Sequence, residues 1–197
     1  WSCRPGGGQV PPDRPADEAR ERPAETNQVV WTPRPAPKTF PRNSYMPDQR
    51  EGAASGSIHM PTFSAGRDLR YIDDDRVWWE SDHDGEHDDE CDHTIHFMLE
   101  APLKRLIEMV DARDARLKVQ DTFRPTGVHN PRSLHREGRA IDLTCENMTL
   151  EELAKLCWQA GFDWVYHECP SGGGDHIHAS VKRATAQPPP ATKPADS

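Results

Sequence analysis

A carboxylate stands at the centre of an apolar run, Ala140-Ile141-Asp142-Leu143-Thr144, and nothing else in the chain constrains the fold as tightly. Ile141 and Leu143 alternate with Asp142, so the run reads as a strand with aliphatic side chains on one face and the carboxylate on the other. An unpaired charge in a packed strand is costly, so Asp142 needs a cationic partner. Arg136 and Arg139 lie close in sequence and offer an ion pair. His135, in the polar turn seven residues upstream, offers instead a ligand that shares a metal ion with Asp142.

The neighbouring segments give that strand its setting. Leu99, Leu103, Leu106, Ile107 and Val110 recur at helical spacing, which predicts an amphipathic helix over about Ala101–Arg113 with Pro102 in its first turn. The stretch "RLKVQDTF" alternates Leu117, Val119 and Asp121 against polar neighbours, as a strand does. "TLEELAKLCWQAG" carries Thr149 as N-cap, Glu152 at the capping-box position and Gly161 as the stop, with Cys157 a small core residue on the helix. Two further strands follow in "FDWVYHE" and "HIHASV". Helices and strands that mix without a strict alternation predict an α+β fold, a two-layer sandwich with helices on one face of a mixed or antiparallel sheet.

In "HIHASV", Ile177, Ala179 and Val181 point one way and His176, His178 and Ser180 the other. If the aliphatic residues face the helices, Asp142, His176 and His178 share the open face. His135, Asp142 and His178 are then candidate ligands: two imidazoles and a carboxylate suit a tetrahedral zinc ion that keeps a fourth position for water. Glu168, ending the strand before the last, is the candidate base, and Asp175 is its rival. The spacing also allows a surface His-x-His pair and an ordinary ion pair at Asp142.

Composition limits the class. Residues 1–62 and 184–197 are rich in Pro, Gly and charge, and the chain has 19 prolines, so these ends are expected to be disordered. The folded domain is then 63–183. A net charge of -9 gives no basic footprint for nucleic acid, and no apolar run is long enough to span a membrane. Five cysteines without a CxxC pair suggest no zinc ribbon, and a Cys145–Cys169 disulfide is open to an exported protein. Between Glu80 and Asp92 the chain places eight Asp and Glu, a composition able to hold calcium but without the spacing of an EF-hand loop.

"SLHREGRAIDLT", "AGFDWVYHE" and "HIHASVK" together resemble the Hedgehog amino-terminal signalling domain and its relatives, the zinc D-Ala-D-Ala peptidases, over about Leu117–Lys182. The resemblance implies that fold, with zinc held by His135, Asp142 and His178 and with Glu168 at the base position. It also implies that His129 flanks a zinc-bound water. In Hedgehog domains a calcium site adjoins the zinc, built partly from carboxylates around the residues matching Asp121 and the acidic stretch. Here Arg124 and Thr126 stand where further carboxylates are expected. "DTFRP" instead resembles the peptidase turn whose arginine holds the substrate's terminal carboxylate, a use suited to a guanidinium fork. Arg124 is equally suited to a pairing with Asp121. "CPSGGGD" lengthens the loop before His176 and creates Asp175-x-x-His178, which looks like the peptidase [DE]-x-x-H.

On these grounds the expectation is a secreted or periplasmic zinc peptidase acting near a free carboxyl end, plausibly on D-alanyl cell-wall peptides. Glu168 or Asp175 would serve as base, His129 would steady the anion and Arg124 would grip the carboxylate. The competing expectation is a Hedgehog-like secreted domain with a structural or vestigial zinc, which binds a protein receptor.

Overall fold

The computed structural model describes residues 31–80, 92–126, 130–172 and 174–183. In chain order the strands are β1 Tyr45–Met46, β2 Leu69–Tyr71, β3 Trp78–Trp79, β4 Thr94–His96, β5 Arg116–Asp121, β6 Ala140–Glu146, β7 Trp164–Glu168 and β8 His176–Ser180. The helices are α1 Glu51–Ala54, α2 Ala65–Asp68, α3 Phe97–Asp111 and α4 Leu150–Ala160. Six strands form one sheet in the order β1-β7-β8-β6-β5-β3, antiparallel except for the parallel β3–β5 pair, and β2 with β4 forms a small second ladder. The fold is therefore α+β with a mixed sheet.

α3 and α4 pack on each other and on the central strands. Their stripes, Leu99, Leu103, Leu106, Ile107 and Val110 on α3 and Leu153, Ala154, Cys157 and Ala160 on α4, are buried against Leu117, Val119, Ile141, Leu143, Val165, Ile177 and Ala179. Burying each of the larger aliphatic side chains stabilises the domain by about 1.5–3 kcal/mol. α4 begins and ends as its sequence predicts, with Thr149 and Glu152 closing a reciprocal capping box and Gly161 in the left-handed conformation at φ 106°. α3 starts four residues earlier than expected because the His96 side chain caps it by accepting the Met98 N–H. Pro102 thus falls inside the helix rather than in its first turn, where its missing N–H removes one backbone bond.

Two further expectations need correction. Residues 32–62 do not behave as loose chain. Phe40 is buried in the core, β1 extends the sheet along β7, and Trp164 Nε1 donates to the Gln49 carbonyl at 2.8 Å. Low hydrophobicity misleads here because the segment is held by backbone pairing and by buried donors from elsewhere in the fold, interactions that composition does not record. Arg139, for example, donates to the carbonyls of Ser55 and Ser57 at 2.7 and 2.9 Å. The terminal stretches 1–30 and 184–197 lie outside the described residues. Cys145 and Cys169 are both free thiols, so the Cys145–Cys169 disulfide does not form.

A candidate metal centre on the open face of the sheet

Strand register builds the site. Asp142 on β6 lies directly opposite His178 on β8, so the two side chains that alternation places on the open face meet each other. His135 arrives from a 3₁₀ turn, Leu134–Glu137, whose entry is fixed by Ser133 accepting the His135 N–H at 3.3 Å. Gly138 closes the turn at φ 64°, and a Cβ there would stand 2.9 Å from the His96 nitrogen. Only glycine fits such an approach without moving backbone.

The three side chains are buried, and their ligand atoms lie within 4.8 Å of one another. His178 Nδ1 is 2.8 Å from Asp142 Oδ1, His135 Nε2 is 3.4 Å from Asp142 Oδ2, and the two imidazole nitrogens are 3.4 Å apart. The outer nitrogens are engaged elsewhere. His135 Nδ1 lies 2.7 Å from the Thr122 carbonyl, and His178 Nε2 lies 2.8 Å from Glu51 Oε1. Both outer atoms face acceptors, which makes them N–H donors and turns the inner nitrogens toward Asp142. Burial would push the Asp142 carboxyl up, but His135 and His178 outweigh it and hold it well below the usual carboxylate range. Burial likewise pushes His178 down, and the Asp142 and Glu51 carboxylates raise it well above an ordinary histidine.

A groove of about 640 Å³ opens over this group, lined in part by Glu51, Asp121, Asp142, Trp164, Glu168 and His176. Glu168 faces His176 across the β7–β8 ladder, its Oε2 3.6 Å from His176 Nε2, and that contact holds its carboxyl low against the effect of burial. Asp121 reaches the groove because β5 bulges between Val119 and Asp121. Strict alternation would have kept Asp121 on the face of Leu117 and Val119, whereas the shifted register sets it opposite Asp142.

Among the described residues, His135 and His178 neighbour the Asp142 carboxylate at hydrogen-bonding or near-contact distance. Arg139 is committed to Glu137, 2.8 Å away and equally buried, so it is not the partner of Asp142. The expected substrate residue, Arg124, and the rival base, Asp175, both stand outside the groove. Arg124 is buried between Asp121, to which it is hydrogen-bonded, and Asp92 at 3.6 Å. It is absent from the groove lining, so its fork is spent on the protein's own carboxylates rather than on a substrate's. Asp175 is absent from the groove lining and faces Arg42 at 2.6 Å, so the structure does not bring it to the His-Asp-His group as a base. His129 and the 81–91 part of the acidic stretch lie outside the described residues. Of the carboxylates flanking that part, Glu80 pairs with Lys118 at 3.1 Å and Asp92 faces Arg124.

Sequence reasoning missed Glu51. It lies 84 positions before His135 in a stretch with no periodicity, and no local signal marks it.

Fold and site together define a class: an α+β domain whose central strands and one turn gather a His-Asp-His group capable of binding a metal ion. The model of the Hedgehog amino-terminal signalling domain matches residues 21–180, and the chain belongs to that family. Over 70 residues it is 43% identical to the Indian hedgehog B protein of Danio rerio and to the Indian hedgehog protein of Gallus gallus, which covers 34% of this chain and 16% of each relative. It is 41% identical over 70 residues to the Sonic hedgehog protein of Danio rerio. The matched stretch is thus about a sixth of the length of these curated relatives. These matches overturn the D-alanyl peptidase reading, and with it the hydrolase and cell-wall assignments, because the family is a signalling module. No helix among the described residues is long and apolar enough to cross a membrane.

Proposed function

We propose that this domain is a secreted protein-binding module of the Hedgehog type, in which His135, Asp142 and His178 hold one structural zinc ion and the groove face docks on a protein receptor. One observation carries the metal assignment. With both outer imidazole nitrogens directed at acceptors, the inner nitrogens and the Asp142 carboxylate face one another within 4.8 Å. A proton can serve two of those atoms at once, but a divalent ion serves all three. Two nitrogen ligands and one oxygen match the donor preference of zinc. The bound ion supplies a cross-link between the 3₁₀ turn and two strands, so metal binding adds directly to folding free energy.

The receptor assignment rests on the family and on the charge of the groove. Glu51, Asp121, Asp142 and Glu168 line it against one guanidinium, Arg132. Such a surface complements a partner segment rich in lysine or arginine, and complementarity of this kind sets specificity and association rate more than raw affinity.

The test is competition. Labelled domain should bind vertebrate cells that respond to Hedgehog proteins, and an excess of the chicken Indian hedgehog amino-terminal domain should displace it. Glu168→Lys, which reverses charge at the groove mouth, should weaken binding at least tenfold while leaving zinc content unchanged. Binding that the relative cannot compete away would reject the receptor reading. A purified domain with no zinc at neutral pH would reject the metal assignment.

A further inference from the structure

We propose a second metal site, on the opposite side of β7, in which His167, Cys169 and Asp175 bind zinc and clasp the loop that joins β7 to β8. The proposal does not rest on the receptor reading. The ligand atoms of these three residues lie within 4.8 Å of one another. A thiolate, an imidazole and a carboxylate form a donor set that zinc accepts, with a fourth position for water.

The independent observation is His167. It is buried at 6% exposure, and neither ring nitrogen has a hydrogen-bond partner among the described residues. Buried polar groups in native proteins are almost always satisfied, and an imidazole with both nitrogens unpaired calls for a missing partner. Its backbone is already fixed at both ends: His167 N donates to the Ser44 carbonyl, and Asn43 N donates to the His167 carbonyl, each at 2.9 Å. The ring is therefore held by the sheet, as a metal ligand should be.

Alternation along β7 separates this group from the His-Asp-His centre. Tyr166 and Glu168 line the groove, so His167 projects to the other face. Cys169 and Asp175 bracket the loop "CPSGGGD", whose neighbours in sequence, Glu168 and His176, both line the groove. An ion bound here pins the base of the hairpin and so sets where those two groove residues stand.

Arg42 currently holds Asp175, with Nε 2.6 Å from Oδ2 and Nη2 2.9 Å from Oδ1. The Arg42 side chain is 68% exposed, so solvent screens the pair and the guanidinium can swing away or stay on a free carboxylate lone pair. The Cys169 thiol donates to the His167 carbonyl at 3.8 Å. On binding, that proton passes to solvent, the sulfur–metal bond forms, and no oxidant or reductant is involved.

Cobalt(II) substitution tests the proposal, because the His135–Asp142–His178 set contains no sulfur. The reduced wild-type chain, titrated with cobalt(II), should develop a thiolate-to-cobalt charge-transfer band in the near ultraviolet. The band should persist in Asp142→Ala and disappear in Cys169→Ser. Asp175→Asn, at a partly exposed position that leaves the core untouched, should weaken the associated binding step at least tenfold, and zinc content should fall by one equivalent in Cys169→Ser. A wild-type chain that gives no such band, or a band that survives Cys169→Ser undiminished, overturns the assignment.

Discussion

Glu51 Oε1 lies 2.8 Å from His178 Nε2, so a carboxylate from the amino-terminal segment fixes which nitrogen of a candidate ligand faces the metal position. Burial pushes the Glu51 carboxyl up, but the hydrogen bond and the charge of His178, with Ser180 and His135 adding to them, together hold it below its ordinary value. Carboxylate–imidazole–metal arrangements of this kind typically govern affinity over about 10–100-fold. Glu51→Ala should lower zinc affinity by that factor, measured by competition with a chromogenic chelator, and Glu51→Gln should fall between it and the wild type. Equal affinities in all three proteins would show that β8 alone orients the ring.

Arg139 and Glu137 form an ion pair in which both side chains are fully buried. The Arg139 guanidinium also donates to the carbonyls of Ser55, Ser57 and Val181, tying α1's exit and the end of the last strand to β6. Removing Arg139 leaves the buried Glu137 carboxylate with the His59 N–H at 2.6 Å and the Arg183 guanidinium at 3.4 Å, so the cost falls at the lower end of about 3–5 kcal/mol. Arg139→Ala should destabilise the domain by that amount in urea denaturation, with an unchanged slope. A loss under about 1 kcal/mol would mean that water reaches the vacated space and solvates Glu137.

The centre of the site was legible in the sequence because it depends on period-two alternation. Ile141 and Leu143 declare the core face, so Asp142 must take the other, and the same logic places His176 and His178. What a strand pattern does not encode is a skipped residue: counted strictly, Asp121 shares the face of Leu117 and Val119, and the bulge that turns it toward the groove depends on pairing with β6. Arg124 shows a different limit. Its chemistry suits a substrate carboxylate and an internal one equally, and only the packing of Asp92 and Asp121 around it decides between them. Glu51 belongs to the contacts made across long sequence separation, where neither spacing nor composition carries information.

Gly138 ends the turn that presents His135, in the left-handed region at φ 64° and with the backbone of Ile95 and His96 pressed against it. An added methyl meets the His96 nitrogen and Leu69 Cδ2 at 2.9 Å, below any normal contact. The φ strain and the forced shift together should cost about 1–3 kcal/mol. Gly138→Ala should therefore lower the denaturation midpoint and, by displacing His135, weaken zinc binding as well. A stability loss with zinc affinity intact would place the adjustment in β4 rather than in the turn.

His96 supplies a pH test away from the metal ligands. Its side chain is buried, and burial is the main force that pushes its pKa from 6.5 down to about 4, with Asp68 opposing. The neutral ring is what the fold requires, because Nδ1 accepts the Met98 N–H at 3.2 Å and caps α3. Well above pH 6.5 the imidazole is neutral in both the folded and the unfolded chain, and its contribution to stability is constant. Between pH 6.5 and about 4 the unfolded chain takes up a proton that the folded domain refuses, so stability falls as the pH drops. Integrated across that window the loss approaches about 3 kcal/mol. His96→Asn keeps a cap acceptor and removes the titration, so its stability should be flatter than that of the wild type from pH 6.5 to 4. Parallel pH profiles for the two proteins would show that His96 is protonated in the folded domain and that another group caps α3.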